Sequence, residues 1–472
     1  MFSLSIQSVS ELTTPNLFSI YLLSSPDEAV EPLLSEALKA RFLSKIQNNK
    51  SVIIFEDAQV AFVLPSKDIS ETYLKKEYFR KKGHELFQYL SIEKISQVAV
   101  LSSEAFGVYE FVEGLSLSSY KFDKYKSQKT TAGQLSIYVD KLSSTQINKL
   151  KVCLEAVQIA KDWVNEPVIH LTAEQFSDEI VQKCSTLPYT KIEVFNKQKI
   201  EALKMGGLLA INKGAPNPPT FTVLEYKHPK ANHTQPIALV GKGVVFDTGG
   251  LSLKETANSM DLMKCDMAGA AAVVGAFFAA AKLELTLHLM VFIPATENRP
   301  DGNAIVPSDI ITMYNGKTVE ILNTDAEGRV ILGDALAYAD KFDPELVIDL
   351  ATLTGAAIAA IGKEAAVMVG NASKEVKTKL LDSGFDTYER MIEFPLWDEY
   401  MKDIESDIAD IKNIGTGAGA ITAAAFLKHF TTKPWIHLDI AGPAYVKGAD
   451  AYRSKYATAY GVRLLVDFLS NY

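Results

Sequence analysis

Apolar and polar positions change period repeatedly along the chain, and the changes mark its elements. Ser51–Phe55 and Gln59–Leu64 are short apolar runs either side of an acidic turn, the pattern of two strands. From Lys75 to Leu90, Lys81, Lys82 and His84 form a charged face beside Phe79, Leu86 and Leu90, which predicts an amphipathic helix. Gln97–Leu101 returns to a short apolar strand, and a helix is expected through Phe111 and Leu115. Gln146–Val164 repeats Ile147, Leu150, Leu154 and Val157 at helical spacing until Asn165, Glu166 and Pro167 stop it. Alternating strands and helices describe an α/β domain.

Beyond Pro167 the strand-like runs are apolar throughout. Pro236–Val240, Leu285–Ile293, Leu346–Leu350 and Trp435–Ile440 read as strands buried on both faces. Helical patterns at Ala268–Lys282, Ile331–Phe342 and Ala418–Phe430 supply the crossovers. The prediction is an α/β chain of two domains, the second a mostly parallel sheet covered by helices on both faces. Its ligands are expected at the C-terminal strand ends. Residues 1–145 form the smaller N-terminal domain in this reading, 146–166 a connecting helix, and 167–472 the larger domain.

Composition narrows the classes of function. The 472 residues are 47% hydrophobic and 22% charged, as in globular proteins. A net charge of -9 weighs against general nucleic-acid binding. Lys121, Lys124 and Lys126 among Tyr120, Phe122 and Tyr125 are read as a solvated surface segment. Cys153, Cys184 and Cys265 are too few and too far apart for a disulfide framework or a cysteine zinc site. The opening Met1–Gln7 lacks a signal pattern, and the apolar run Ala268–Ala281 is short for a bilayer span. The expectation is a cytoplasmic protein without a membrane partner.

Candidate chemistry concentrates in two places. In Asn323–Arg329, Asp325, Glu327 and Arg329 alternate with Ala326 and Gly328, so an extended segment would point all three one way. The same residues fit a helix start, with Thr324 and Glu327 as a capping box. Upstream, Lys242 lies between Gly241 and Gly243, a costly position for a buried cation without acids nearby. Asp247 precedes the Gly249–Gly250 turn, Lys254 and Asp261 follow, and Asp266 stands just before the alanine-rich helix. Singly, Asp247 reads as a turn residue and Asp266 as an N-cap. The chain has no phosphate loop, Gly-x-Ser-x-Gly elbow or His-Glu-x-x-His motif, and its seven histidines show no ligand spacing. His437 reads as a satisfied core residue. Oxygen-rich donors without His or Cys favour hard or borderline divalent cations, of which Asp and Glu side chains can hold a pair.

These segments resemble the leucyl aminopeptidase family of two-metal exopeptidases. The resemblance runs through Met205–Ile211, Val240–Gly250, Met263–Ala271, Asn323–Arg329, Asp349–Gly355 and Leu438–Gly442, covering most of the chain after residue 165. The N-terminal third, macro-like by resemblance, matches weakly at Glu113–Phe122. Carried over, the resemblance implies one ion on Lys242, Asp247, Asp266 and Glu327. A second would lie on Asp247, Asp325 (side chain and backbone carbonyl) and Glu327, the ions being Zn²⁺ or Mn²⁺, with Mg²⁺ also open. Lys254 would polarise the scissile carbonyl, and Arg329 would hold a bicarbonate acting as general base on the water between the metals. Met263, Thr352, Leu353, Gly355, Ala441 and Ala444 would line the pocket for the first side chain, favouring Leu or Met. The resemblance also implies peptide substrates and a homohexamer. Two readings stand beside it: a DNA-binding or regulatory protein on the same fold, and a two-metal phosphoester hydrolase. This chain departs from the usual pattern by one extra residue within Glu255–Ser259 and by Tyr445 near the pocket, where Trp or Met is common.

Overall fold

The computed structural model describes residues 3–11, 17–25, 36–47, 50–66, 68–128 and 134–472. Its contacts divide the chain into two units, Met1–Leu154 with Gly448–Lys455 and Glu155–Lys447 with Tyr456–Tyr472. The division falls inside the helix Ser144–Asn165, which the sequence places between the domains.

The first unit holds strands β1 (Ser3–Ser8), β2 (Phe18–Leu22), β3 (Val52–Phe55), β4 (Val60–Val63), β5 (Gln97–Ser102) and β6 (Gln134–Val139). They order as β1-β6-β5-β2-β4-β3, parallel except for the β3–β4 hairpin. Burial alternates along β2, so Phe18, Ile20 and Leu22 join Val98, Val100 and Ile137 in the core. The helices Thr72–Ile92 and Val108–Leu117 cross where glycines let their backbones meet. A Cβ on Gly83 would lie 2.2 Å from the Phe111 carbonyl oxygen, and one on Gly114 2.1 Å from that of Arg80. Buried beside this crossing, Arg80 Nε pairs with Glu113 Oε2 at 2.6 Å, and the Tyr452 hydroxyl donates to Glu77 at 2.8 Å. The lysine-rich segment is exposed at Lys121, Lys124 and Tyr125, as a solvated surface would be.

The second unit carries β7 (Thr190–Phe195), β8 (Thr220–Lys227), β9 (Ile237–Gly241), β10 (Gly243–Asp247) and β11 (His288–Asn298). After them come β12 (Ile310–Thr312), β13 (Thr318–Glu320), β14 (Leu346–Ala351), β15 (Ala366–Gly370), β16 (Met391–Glu393), β17 (Ile411–Lys412) and β18 (Trp435–Asp439). The large sheet runs β16-β15-β18-β14-β9-β11-β8-β7, with β10 also paired to β11. Its centre, β18-β14-β9-β11 with β10, is parallel, while β8 and β7 at one flank and β15 against β18 are antiparallel. Ala238, Val240, Phe292 and Val347 face the helices Glu327–Ala339 and Gly419–Lys428. Alternate residues project to the other face, where the helix Ala268–Lys282 packs on β9 and β14. The fold class is therefore the α/β one predicted from the pattern.

Particular boundaries moved. The strand expected at Leu285–Ile293 is β11, which begins at His288 because Leu285–Leu287 close the preceding helix, and which runs on to Asn298 beside β10. The helix expected from Ile331 begins at Glu327. With its preceding 3-10 turn, the alanine-rich helix makes a 23-residue helical segment, Met260–Lys282, long and apolar enough on average to cross a bilayer by length and composition. Every residue from Ala268 to Ala281 is buried within the fold, so this run is a core helix.

Candidate metal centre

The parallel strands end together, and the polar residues of both motifs meet there. Lys242 sits between β9 and β10, with its amide donating to the Leu350 carbonyl of β14. The flanking glycines are steric requirements: a Cβ on Gly241 would lie 2.5 Å from Ala270 Cα, and one on Gly243 2.5 Å from the Pro294 carbonyl oxygen. Lys242 Nζ lies 2.8 Å from Asp266 Oδ2, 2.8 Å from Glu327 Oε1 and 3.0 Å from the Thr352 carbonyl oxygen. Gly328 makes this possible, since a Cβ there would sit 2.6 Å from the ammonium nitrogen. The small spacer Gly328 thus admits the Lys242 side chain.

Asp247 ends β10, and Gly249 turns the chain back at a φ of 86°. Lys254, carried by that turn, lies 2.9 Å from Asp247 Oδ2 and also pairs with Asp325. Carboxylate oxygens of Asp247, Asp325 and Glu327 lie within 4.8 Å of one another. The expected extended geometry of Asp325 to Arg329 is not what joins them: the chain turns at Asp325 and enters its helix at Glu327. The capping box is absent as well. Ala326 is the N-cap, and the Thr324 hydroxyl donates instead to the Gly249 carbonyl at 2.6 Å. Asp266 is no N-cap, since Met267 holds that position; its Oδ1 accepts from the Thr352 hydroxyl at 2.8 Å. Asp247 does serve the turn, accepting from the Gly249 amide at 2.8 Å, without leaving the cluster.

Four carboxylates share this buried space with two ammonium groups, and their protonation reflects it. Burial and the charge of Glu327 push Asp247 up to about 7 despite Lys254 and Lys242. Burial likewise raises Asp266 and Asp325. Burial would raise Glu327 also, but Lys242 and Lys254 hold it below the usual carboxylate value. Burial disfavours the charge on Lys242, yet Asp266, Glu327 and Asp247 outweigh it and hold the ammonium above its ordinary value. To serve as a metal ligand Lys242 would have to lose that proton, and a divalent cation held by these oxygens would disfavour the ammonium charge. The donor set fits divalent ions: Glu327 Oε2 is buried with no hydrogen-bond partner among the described residues.

Residues without a sequence signal hold the cluster in shape. Asn298, at the tip of β11, donates to Asp247 Oδ1 at 2.8 Å and to the Thr324 carbonyl at 3.0 Å. Asn413 accepts the Leu322 amide at 2.8 Å, and its own carbonyl takes the Arg329 Nη1 proton at 3.0 Å. Asp439 accepts from the Leu353 amide at 3.1 Å and the Thr354 hydroxyl at 2.6 Å. Burial lowers the Arg329 guanidinium to about 10, and its Nε has no partner among the described residues. His437, expected to be satisfied in the core, hydrogen-bonds through Nδ1 to Asp349 at 2.6 Å, while its Nε2 has no partner among the described residues.

A cavity of about 590 Å³ opens over the cluster. Its lining includes Lys242, Asp247, Lys254, Asp266, Asp325, Glu327 and Arg329 together with Met263, Thr352, Leu353, Gly355 and Ala441. Ala444 is buried, bonded through its amide to the Ile440 carbonyl, and does not belong to that lining. Asp261 is also outside it. The lining also takes in the Ile414–Gly419 loop, which no motif announced.

Known proteins resemble this chain over most of its length. The model of the cytosol aminopeptidase family, catalytic domain, matches residues 158–466. A probable cytosol aminopeptidase of Chlorobium limicola is 41% identical over 443 residues, spanning 90% of this chain and 84% of that protein. One from Chlorobaculum parvum is 46% identical over 387 residues, spanning 79% and 75% respectively. Among solved structures, the bottromycin maturation enzyme BotP superposes with a TM-score of 0.83 at 28% identity, over 97% of this chain and 99% of its own. BotP in complex with Mn gives a TM-score of 0.84 at 29% identity, with the same coverage.

Proposed function

The chain belongs to the cytosol aminopeptidase family and is a metal-dependent aminopeptidase; from that premise we propose that it releases apolar first residues, such as Leu or Met, from peptides or dipeptides. The observation that carries the assignment to this site is the convergence of Asp247, Asp325 and Glu327 around one small volume, flanked by Lys242 and Lys254. Lys242, Asp247, Asp266 and Glu327 would hold one ion, and Asp247, Asp325 and Glu327 the other. Zn²⁺ and Mn²⁺ suit these donors, with Mg²⁺ a weaker fit for the amine; BotP has been solved with Mn. Such ions supply Lewis-acid polarisation and lower the pKa of the attacking water.

The chain's own groups do the rest. Lys254, on its glycine-bounded turn, faces the carboxylates from the open side and would stabilise negative charge on the scissile carbonyl oxygen. Asp266, adjoining Lys242, would receive the free α-amine of the substrate, which restricts cleavage to the N-terminus. Arg329 would hold a bicarbonate as general base; its buried, unpartnered Nε and its place in the first turn of a helix both suit an anion. Met263, Leu353 and Ala441 give the pocket the apolar character that favours Leu or Met. A cytoplasmic location accords with the names of the relatives, and the homohexamer expected from the sequence motifs' resemblance is part of the same proposal.

The test compares leucyl-anilide with nitrophenyl phosphate. Hydrolysis of the anilide is expected to vanish on chelation and return with Mn²⁺ or Zn²⁺, with the phosphate ester left intact. Glu327→Ala is expected to lower kcat by about a thousandfold or more. Full activity in that variant, or phosphatase activity without peptidase activity, would refute the assignment.

A further inference from the structure

The Ile414–Gly419 loop forms one wall of the cavity, yet its sequence gives it little stiffness of its own. Three of its residues, Gly415, Gly417 and Gly419, are glycines, and Ala418 between them sits in the left-handed region at a φ of 45°. The loop is tied at its start by Asn413, whose side chain accepts the Leu322 amide at 2.8 Å and donates to the Asn323 carbonyl at 2.7 Å. It is tied at its end by the Thr422 hydroxyl, 3.1 Å from the Gly417 carbonyl oxygen.

Asp403 grips the middle. It follows the short helix Asp398–Lys402, and its Oδ2 accepts the Thr416 amide at 2.8 Å. Its Oδ1 accepts the Thr416 hydroxyl at 2.7 Å. Those bonds, with the Gly417 amide contributing, hold the carboxyl below its ordinary value. Gly415 is shaped for the same contact, since a Cβ there would fall 2.4 Å from Asp403 Oδ2. On the far side the wall closes against the start of the helix Gly355–Ile361, where a Cβ on Gly419 would meet that of Ala356 at 3.1 Å. Both elements line the cavity.

We infer that Asp403 is a positioning residue: by clamping Thr416 it fixes the glycine-rich wall and so sets which first side chain the pocket accepts. This rests on reading the cavity as the aminopeptidase pocket. A wall of glycines left unclamped can yield to a small or large side chain alike, so the clamp acts on selectivity and binding while the carboxylate cluster acts on rate.

The experiment measures kcat and KM for leucyl- and alanyl-anilides with wild type, Asp403→Ala and Asp403→Asn, alongside hydrogen exchange at the Thr416 amide. Asp403→Ala is expected to raise the leucyl KM by about tenfold, the loss of two hydrogen bonds of ordinary strength. Its kcat should stay within about twofold, its leucyl-to-alanyl ratio should fall, and Thr416 should exchange faster. Asn keeps the carbonyl acceptor and the shape, so Asp403→Asn should restore most of the ratio. Unchanged KM values with faster exchange would overturn the selectivity role, and so would a loss confined to kcat. Inactivity of the wild type towards every aminoacyl-anilide would instead sink the pocket reading, and it is seen before any variant is compared.

Discussion

Asp334 is a buried carboxylate that the proposed chemistry leaves unused. Its two oxygens accept the amides of Leu208 at 2.9 Å and Tyr314 at 2.8 Å, tying the helix Gly206–Asn212 and the turn at Tyr314 to the helix Glu327–Ala339. Burial pushes it up to about 7 in spite of those bonds. An aspartate in the unfolded chain titrates near ~3.9, so between these values the folded state holds a proton that the unfolded state has released. The stability this contributes is present at low pH and is lost as pH rises towards 7, at up to roughly 1.4 kcal/mol per pH unit. Asp334→Asn removes the titration and leaves one amide facing a donor, for a cost of about 1–3 kcal/mol. Denaturant titrations of both proteins at pH 5 and pH 8 should therefore show the variant's deficit shrinking at the higher pH. A constant deficit would mean that Asp334 is ionised throughout. Legibility at this scale followed charge and spacing. A lysine between glycines and acids two residues apart are conspicuous, so the residues that cluster could be singled out by pattern, while their division into ligand sets came from the family resemblance. Asn298 and Asn413 were invisible, because an amide at a strand tip or loop start looks like any turn residue until its partners are known.

Elements were legible where one period ran long enough. The alanine-rich helix was placed to its true ends, and the central strands β9, β14 and β18 came within one residue, because burial on both faces leaves an unbroken apolar run. The antiparallel flank was not foreseen. β7 mixes Lys191 and Glu193 with apolar residues at an exposed edge, which breaks up the apolar run. The crossing of Thr72–Ile92 with Val108–Leu117 was equally hidden, since a glycine in a helix ordinarily signals weakness. Here it signals contact. Gly83→Ala would drive a methyl against a backbone carbonyl that a side-chain rotation cannot move aside, and should cost about 1–3 kcal/mol or more. Gly302→Ala, with nothing within 4 Å, serves as its control and should stay within about 0.5 kcal/mol of wild type. Equal effects of the two substitutions on urea midpoints would show that the helices are not packed as closely as the carbonyl distance requires.

At the scale of the whole molecule, the large sheet gathers like charges that repel one another. Asp247, Asp266, Asp325 and Glu327 come from three stretches of chain, and among the described residues Lys242 and Lys254 are the cations in direct ion pairs with them, so full ionisation leaves these pairs with two excess negative charges at the floor of the cavity. The raised carboxyls of Asp247, Asp266 and Asp325 are the mark of that stress. Folding thus builds a site that is strained without cations, and cations that bind only the folded state must stabilise it by mass action. At a hundred times its dissociation constant, Mn²⁺ or Zn²⁺ should add about 2.7 kcal/mol for each site filled. In calorimetry the unfolding transition should move up with added metal and back down with chelator. In Glu327→Ala the shift should shrink sharply, because the ligand proposed to bridge both ions is gone while Asp247 and Asp325 remain. A metal-induced shift of equal size in that variant would place the ions elsewhere, and the carboxylate cluster would then owe its protonation pattern to its lysines alone.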